Sequence, residues 1–336
     1  MRPKTRWFVS LWLVVVLLPA AAFGWWALRP IALAQAPLEA SVHVGSSARG
    51  AAQQLRAQGA TLSPTLFALL ARLSGDATRL QAGNYLIDAG TSPWLLLQRM
   101  VRGGGRLLKL TVPEGWNYAQ LLAALQRAPG LVDDVAGLDG AQIMQRIGAP
   151  PGLQPEGWFF PDTYMYAPGS SALQLLGRGY HAMRQQLAQA WAQRAPDLPL
   201  RDAEQALTLA SIVERETGRA EDRARVAAVF VNRLRVGMPL QSDPTVIYAL
   251  GARYDGRLHH RDMVVDSPYN TYVRSGLPPT PIALPGAAAI TATLHPAASR
   301  ALYFVARGDG SSAFSDTLQQ QNAAINRYMN PRKPAR

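Results

Sequence analysis

Two glutamates, Glu214 and Glu216, end a largely apolar segment that runs from Leu207 to Thr217. Interpreted as the end of a helix that begins near Asp202, this segment turns by about 100° per residue. The two carboxyl groups therefore point to different faces of the helix. Glu216 shares its face with Leu209, Ile212 and Val213, whereas Glu214 shares its face with Leu207, Ala210 and Ser211.

The surroundings of Glu216 make it the better candidate for proton transfer. A carboxyl group above branched apolar side chains loses contact with water, which raises its pKa from about 4.3 towards about 6, where a general acid works. An exposed Glu216 that pairs with Arg219 or Arg223 is compatible with the same helix. Helix geometry alone leaves both interpretations open.

Metal and cofactor chemistry finds little support in the composition. Cysteine is absent, which excludes disulfides, thiolate metal sites and cysteine nucleophiles. The adjacent pair His259-His260 lacks the helical spacing that zinc sites use, so structural or solvent roles are favoured. The chain contains no Walker loop, no dinucleotide-binding glycine motif after a strand and no Gly-x-Ser-x-Gly elbow. We predict no metal and no cofactor.

The chain is strongly basic, with 34 Lys and Arg against 22 Asp and Glu and a net charge of +12. Its arginines are scattered singly instead of forming a basic block or stripe, which argues against a nucleic-acid partner. An anionic membrane surface or wall polymer fits this balance better.

Four early elements follow the order strand, helix, helix, strand, with strands over 42–44 and 84–87 and helices over 46–58 and 63–74. A serine precedes each helix and a glycine follows it, as helix caps require. This order resembles the LysM module, a small fold that lies along N-acetylglucosamine-containing glycans. The resemblance is one of pattern only.

The rest of the chain mixes helices and strands without a repeated strand-helix-strand order. A third helix begins at Thr91 or Ser92 and ends in three glycines at 103–105, which mark a hinge or domain boundary. A strand over 107–112 and helices near 117–128, 141–147 and 170–194 follow. This arrangement predicts the α+β class.

The first residues predict a membrane anchor. The run from Trp7 to Leu28 has no charged residue and reaches about 33 Å as a helix, enough for a bilayer core of about 30 Å. Arg2, Lys4 and Arg6 precede it, which predicts a cytoplasmic N-terminus. A cleavable signal peptide ending near Ala34 is the alternative, although the apolar run is longer than such peptides use.

Five segments of the second half occur in an order that resembles the MltG (YceG-like) family of membrane-anchored endolytic murein transglycosylases. The resemblance covers nearly the whole chain and is strongest from Leu110 to Tyr328. The segments are Pro155 to Tyr164, Ala210 to Thr217, Phe230 to Leu234, Leu240 to Tyr248 and Ser267 to Tyr272.

The resemblance implies a reaction that needs one carboxyl group. In the family the second Glu of a Glu-x-Glu-Thr motif is the catalytic acid, and this position is Glu216. The family protonates the glycosidic oxygen after N-acetylmuramic acid, and the C6 hydroxyl of the same sugar then attacks C1 to give a 1,6-anhydro end. One Glu can donate the first proton and accept the second. A hydrolase would need a second carboxylate.

A wider set of residues in these motifs is predicted to bind the glycan. Flat aromatic faces suit sugar rings, and amide or carboxylate side chains suit hydroxyl and acetamido groups. Phe159 and Phe160, by contrast, are expected to be core residues, and Asp243 is also expected to cap a short helix through Leu250. The predicted substrate-binding residues are Glu156, Trp158, Gln241, Asp243, Tyr269, Asn270 and Tyr272.

The predicted protein is thus a single-pass inner-membrane enzyme with a periplasmic catalytic domain that cleaves nascent peptidoglycan strands and ends their elongation beside the peptidoglycan synthases. The alternatives are a noncatalytic peptidoglycan-binding scaffold and a muramidase that uses water. The predicted division is a cytoplasmic tail 1–6, a transmembrane helix 7–28, a linker 29–40, a LysM-like module 41–105, a catalytic domain 106–330 and a basic tail 331–336.

Overall fold

The computed structural model describes residues 17–43, 45–103, 107–166 and 169–329. The chain divides into two compact units. The first unit comprises the chain up to Leu110 together with 129–132 and 165–170, and the second comprises the remainder. Helices and small two-stranded sheets are mixed throughout, so the α+β class is confirmed.

The first unit contains a helix (α1) over residues 17–28 and a βααβ arrangement. Strand β2 pairs with β4 in an antiparallel ladder, with Leu38 opposite Ile87, and helices α2 and α3 pack on each other. A short antiparallel pair, β1 with β3, lies beside them. The elements are β1 (Ala32–Leu33), β2 (Leu38–Val42), α2 (Ala48–Ala57), β3 (Ala60–Thr61), α3 (Pro64–Leu73), β4 (Gly83–Ile87) and α4 (Pro93–Val101).

Serine side chains begin three of these helices. The hydroxyls of Ser47, Ser63 and Ser92 each accept a hydrogen bond from the backbone N–H three residues further on, which satisfies a donor that the helix itself leaves free. The apolar faces of α2, α3 and α4 share one core that includes Leu55 and Phe67. The predicted helices are confirmed, whereas the first predicted strand lies earlier, at Leu38–Val42.

The first part of the predicted span, residues 7–16, lies outside the described residues. Its remaining part, residues 17–28, is helical. Within the described ranges no helix is both long enough and apolar enough to cross a membrane.

The second unit is mainly helical and is built around α8. Helices α7, α9, α10 and α11 all pack against α8. The elements from β5 onward are β5 (Leu108–Thr111), α5 (Tyr118–Arg127), α6 (Gly140–Arg146), β6 (Thr163–Tyr166), α7 (Ala172–Ala192), α8 (Ala203–Glu216), α9 (Ala220–Arg235), α10 (Asp243–Leu250), α11 (Ala287–Leu294), β7 (Tyr303–Ala306), β8 (Ser312–Ser315) and α12 (Leu318–Tyr328). Strand β5 pairs with β6, and β7 pairs with β8 in an antiparallel ladder.

The central position of α8 corrects the predicted contrast between its two faces. Every residue from Ala206 to Val213 is buried, so this central part of the helix has no solvent face. Burial on all sides is typical of a helix in the middle of a bundle. The environments of Glu214 and Glu216 must therefore differ through the neighbouring elements that each carboxyl group meets.

Candidate active site

Glu216 is the last residue of α8, the helix that Asp202 caps at its start through a hydrogen bond of 2.8 Å from the Gln205 N–H. Glu216 is half-buried within the second unit. Loss of water there raises the pKa of Glu216 to about 7. The predicted rise is confirmed in direction, and it leaves a large fraction of the carboxyl protonated near neutral pH.

Three side chains from other elements adjust this carboxyl group. Asp243 raises the pKa of Glu216 because a second negative charge disfavours ionisation, whereas Ser242 and the Arg233 guanidinium lower it. The Ser242 Oγ is close enough to act on Glu216, yet it has no partner within hydrogen-bond geometry. Burial outweighs these effects, since the pKa lies above its ordinary value.

The alternative in which an exposed Glu216 pairs with Arg219 or Arg223 is not observed in the second unit. Arg219 instead pairs with Glu221 at 3.5 Å, and Arg223 acts on the carboxyl group of Glu214. Within the described ranges no ion pair joins Glu216 to either arginine.

Arg233 is a buried cation on α9, only 7% exposed. Its Nε donates to the Leu302 carbonyl oxygen at 2.7 Å, and its Nη1 donates to the Leu240 carbonyl oxygen at 2.7 Å. The guanidinium also lies over the Tyr303 ring, 5.4 Å from the ring centre. These contacts fix its position near Glu216 and satisfy donors that would otherwise be costly to bury.

A threonine and serine network holds the start of α10 beside Glu216. The Thr271 hydroxyl accepts from the Ser242 N–H at 3.0 Å and lies 2.8 Å from the Thr245 hydroxyl. The preceding Gln241 has a left-handed backbone with a φ of 50°, which reverses the chain immediately before the helix. The Gln241 side chain is exposed and accepts weakly from Arg233 at 3.4 Å.

Asp243 and Tyr272 form a direct pair next to Glu216. The Tyr272 hydroxyl donates to Asp243 Oδ1 at 2.5 Å. Burial and the nearby Asp243 and Glu216 carboxyls raise the pKa of Tyr272, so this hydroxyl stays protonated. Asp243 is the first residue of α10 but does not cap it, because Ser242 occupies the cap position. The expected capping role of Asp243 is therefore wrong.

Asn270 is fully buried, and its side chain is used within its own loop. The Nδ2 group donates to the carbonyl oxygens of Met263 and Val265 at 3.0 and 2.8 Å, and the Oδ1 atom accepts from the Tyr272 N–H at 3.0 Å. The Nδ2 group thus makes two hydrogen bonds and the Oδ1 atom accepts one. Asn270 therefore orders the loop that carries Tyr269 and Tyr272.

Glu156 is a second buried carboxyl group, 8% exposed. Its Oε1 accepts from the Tyr118 N–H at 3.0 Å, and its Oε2 accepts from the Tyr248 hydroxyl at 3.1 Å. Burial raises the pKa of Glu156 to about 7 against the opposing effect of these donors. The side chains that adjust Glu216 are Ser242, Asp243 and Arg233, whereas the hydrogen bonds of Glu156 go to Tyr118 and Tyr248.

Two of the predicted aromatic residues are packed inside the second unit. Trp158 is 9% exposed and lies against Tyr180, with ring centres 6.2 Å apart. Phe159 is 2% exposed and stacks on Tyr118 at 5.6 Å, so its expected core role is confirmed. Tyr269 and Tyr272 are half-buried and retain accessible surface beside α10.

Glu214 lies at the start of α11, where its Oε2 accepts from the Gly286 N–H at 3.0 Å. Burial and the neighbouring Glu114 raise the pKa of Glu214. The N-terminus of a helix attracts a carboxylate, and this contact ties the end of α8 to α11. Glu214 is thus occupied in a helix contact.

Sequence reasoning missed Arg233, Ser242 and Tyr248 as parts of this site. Arg233 had a recognisable signal, because it continues the apolar stripe of Val226 and Phe230 at helical spacing. A charged residue on a core stripe predicts a buried, functional or structural ion. Ser242 and Tyr248 had no such signal, since their roles depend on contacts between distant segments.

The structure shows two further features of this region. Within the described residues no group of three or more His, Asp or Glu side chains is arranged to hold a metal ion. A cavity of about 650 Å³ lies at the opposite end of α8, lined by residues that include Asp202, Glu204 and Pro278 and none of those around Glu216.

These features define an α+β protein whose site presents a single helix-end carboxyl of raised pKa beside a buried arginine. The family to which such a protein belongs follows from comparison with known sequences. The YceG-like family model matches residues 40–327, and the chain belongs to this family.

Curated relatives carry one common description. The chain is 31% identical over 301 residues to the endolytic murein transglycosylase of Bacillus subtilis, a match that covers 85% of this chain and 83% of the relative. It is 27% identical over 319 residues to the endolytic murein transglycosylase of Streptococcus pneumoniae, covering 85% of this chain and 57% of that longer protein.

One solved structure is also similar. The crystal structure of a YceG-like protein from Listeria monocytogenes is 27% identical, with a TM-score of 0.49, and the match covers 85% of this chain and 98% of that one.

Proposed function

We propose that this protein is an endolytic murein transglycosylase and that Glu216 is its catalytic acid and base. The observation that carries the proposal is the carboxyl group of Glu216, whose pKa burial raises to about 7, at the end of the helix around which the second unit is built. The similarity to the Bacillus subtilis transglycosylase over most of both chains supports the same reaction class.

The proposed reaction uses the Glu216 carboxyl for two proton transfers, first as an acid and then as a base. Glu216 donates its proton to the glycosidic oxygen between N-acetylmuramic acid and N-acetylglucosamine, and the bond from that oxygen to C1 breaks. The C6 hydroxyl of the muramic acid then forms a bond to C1 and returns its proton to the Glu216 carboxylate. The products are an N-acetylglucosamine end and a 1,6-anhydro end, and the enzyme regains its starting protonation.

The neighbours of Glu216 suit this sequence of steps. Asp243 favours the protonated form that must act first, and its negative charge suits the positive charge that develops on the sugar ring. Arg233 favours the carboxylate that must exist after the first proton is given away. Because burial raises the Glu216 pKa to about 7 and the two charges act in opposite directions, both protonation states are accessible near neutral pH.

The predicted substrate-binding residues take three different roles in this proposal. Tyr269, Tyr272, Gln241 and Asp243 keep accessible surface and are proposed to contact the glycan. Asn270 is proposed to hold their loop in place, because its amide is fully used there. Trp158 and Glu156 are buried and are proposed to support the site from behind.

The first unit is proposed to serve as a glycan-binding module of the LysM type over residues 41–105, followed by a catalytic domain over 106–330. The antiparallel pairing of β2 with β4 around α2 and α3 supports this assignment. The run from Trp7 to Leu28 is proposed to anchor the protein in the inner membrane with its N-terminus in the cytoplasm. This topology places the enzyme where nascent strands leave the synthases, whose products it would shorten.

Product analysis tests the proposal. Purified murein sacculi are digested with the protein, and the fragments are separated and weighed by mass spectrometry. We expect internal cleavage with 1,6-anhydro-muramic ends, which are about 18 Da lighter than hydrolysed ends because no water is added. Reducing ends would assign a muramidase, and intact strands that retain bound protein would assign a scaffold.

A further inference from the structure

The segment 269–272 runs alongside α10 and is joined to it at three successive points. Tyr272 bonds Asp243 at the start of the helix, Thr271 bonds Thr245 in the first turn, and the ring of Tyr269 lies against the ring of Tyr248 with centres 4.8 Å apart. All three tyrosines therefore lie along α10, with Tyr272 at the start of the helix beside Asp243 and the pair Tyr248 and Tyr269 further along it. We call Tyr248, Tyr269 and Tyr272 the tyrosine ridge.

Tyr248 and Tyr269, whose rings are in contact, are both held by their hydroxyl groups. The Tyr248 hydroxyl donates to Glu156 Oε2 at 3.1 Å, and the Tyr269 hydroxyl lies 2.9 Å from the Thr280 hydroxyl. The rings meet at an angle of 56°, and both side chains are half-buried. Each ring is thus fixed at its polar end, and each residue keeps part of its surface accessible.

Glu156 has no role in this site other than to hold groups in place. Its two oxygens are taken by the Tyr118 N–H at the start of α5 and by Tyr248 on α10. The carboxyl group is buried and cannot reach a glycan without leaving both donors. It is also anchored from its own segment, because Gly157 has a φ of 84° and lies where a Cβ would be 2.4 Å from the Pro281 Cβ.

We propose that Tyr248, together with Tyr269, forms a sugar-stacking subsite of the glycan track, and that Glu156 is the positioning residue that sets the orientation of the Tyr248 ring. The inference rests on the proposed function. Tyr248 lies five positions after Asp243, a rise of about 7.5 Å along the helix. The ridge therefore extends beyond the sugars at the cleaved bond and would bind a sugar further along the strand.

The physical reason is that a flat ring stabilises a bound sugar only while its face is presented at a fixed angle. Tyr248 would gain from a fixed hydroxyl because a ring free to turn about its side-chain torsions loses conformational entropy on binding. The proposed effect belongs to binding and not to proton transfer, because the Glu156 oxygens accept from the Tyr118 N–H and the Tyr248 hydroxyl and make no hydrogen bond to Glu216. Loss of the contact should therefore raise KM and leave kcat nearly unchanged.

Steady-state kinetics on soluble glycan strands, freed of peptide stems, test the proposal with the full chain. The variants are Tyr248→Phe, Glu156→Gln and the double variant, each checked by a melting curve. Tyr166→Phe is the matched control, since Tyr166 is buried and its hydroxyl donates to a carbonyl oxygen, that of Pro129 at 2.9 Å, but lies in the first unit. We expect each single variant to raise KM roughly fivefold, the loss of about one hydrogen bond.

The double variant decides whether the two residues act together. If Glu156 acts through Tyr248, the double variant raises KM no more than either single variant. The proposal would be overturned if KM were unchanged in Tyr248→Phe, or if KM rose equally in Tyr166→Phe. It would also be overturned if the rise of KM in the double variant equalled the product of the rises in the two single variants. If the wild type produces no anhydro ends, the proposed function fails, and calorimetric binding of the same strands to the same variants then decides the inference independently.

Discussion

At the scale of single residues, burial controls the ionisation of the two most important carboxyl groups. Glu156 and Glu216 both have a pKa raised to about 7, and loss of water is the main cause for each. They differ in what surrounds them. Hydrogen-bond donors of Tyr118, Tyr248 and Gly157 lower the pKa of Glu156, whereas the charges of Asp243 and Arg233 act on the pKa of Glu216 in opposite directions. Glu216 therefore has charged neighbours that favour each of its two protonation states.

The first residue-scale prediction compares the two glutamates of α8. Glu216→Gln keeps the size of the side chain but removes its transferable proton, so we expect anhydro-product formation to fall by about 10² to 10⁴ or more. Glu214→Gln should cost far less, because Glu214 contacts the Gly286 N–H and not the reacting sugar. Rates of product release are measured for both variants, and melting curves confirm that each is folded.

Either of two outcomes would refute this assignment. A folded Glu216→Gln protein with near wild-type turnover would remove Glu216 from the mechanism. A Glu214→Gln protein that is the inactive variant would transfer the role to the carboxyl at the start of α11.

The second residue-scale prediction concerns pH. The first step needs protonated Glu216, whose pKa of about 7 lies above its ordinary value. The active form is therefore fully populated well below pH 7 and is lost as the pH rises through about 7. We expect kcat to be highest on the acid side and to fall about tenfold per pH unit above this range. Glu214→Gln should keep the same profile, and a kcat that rises between pH 6 and 8 would contradict the assignment.

Sequence alone predicted a raised pKa for Glu216 but not the reason for it. The predicted contrast between an apolar and a polar face does not exist on α8, since both sides are buried up to Val213. The surroundings of Glu216 differ from those of Glu214 because Ser242, Asp243 and Arg233, on other elements, act on the Glu216 carboxyl. Such contacts depend on how distant segments pack, and no local pattern in the sequence encodes them.

At the scale of elements, helix starts were the most predictable features. Ser47, Ser63 and Asp202 each cap the helix that the sequence assigned to them, because a cap is a contact within four residues. Asn270 shows the opposite limit. Its side chain was predicted to bind sugar, but it orders the loop over 263–272 through backbone contacts that only the folded loop brings together.

The element-scale prediction concerns the turn that carries Glu156. Gly157 has a φ of 84°, and a Cβ there would lie 2.4 Å from the Pro281 Cβ, whereas Gly152 has a φ of 83° with open space around it. Gly152→Ala should cost only the backbone strain, about 1 kcal/mol of the free energy of unfolding. Gly157→Ala should cost about 1 to 3 kcal/mol more, because the packed proline must move.

Denaturant unfolding of the two alanine variants measures the difference directly. Equal losses of stability would show that the chain relaxes around Pro281 without cost. The turn would then not be the rigid support that the contact of Glu156 with Tyr248 requires.

At the scale of the whole molecule, the two compact units are not continuous segments of the chain. The first compact unit includes 129–132 and 165–170, two short stretches from the middle of the chain, in addition to the N-terminal region. A backbone hydrogen bond of 2.8 Å joins Val132 to Ser170 within it. The sequence showed the glycines at 103–105 as a boundary, but chain segments that return to an earlier unit carry no local signal.

The whole-molecule prediction separates binding from catalysis by removing the proposed module, residues 41–105. The residues around Glu216 all belong to the second unit, so the chemical step should survive if that unit still folds. Insoluble murein offers many glycan strands to a binding module, and a second binding contact raises the effective concentration of the strand at the catalytic residues. We expect the deletion to reduce cleavage of insoluble sacculi at least tenfold more than cleavage of short soluble strands.

A melting curve and the activity of the Glu214→Gln protein serve as controls. An equal loss on both substrates would show that the first unit is an integral part of the catalytic fold.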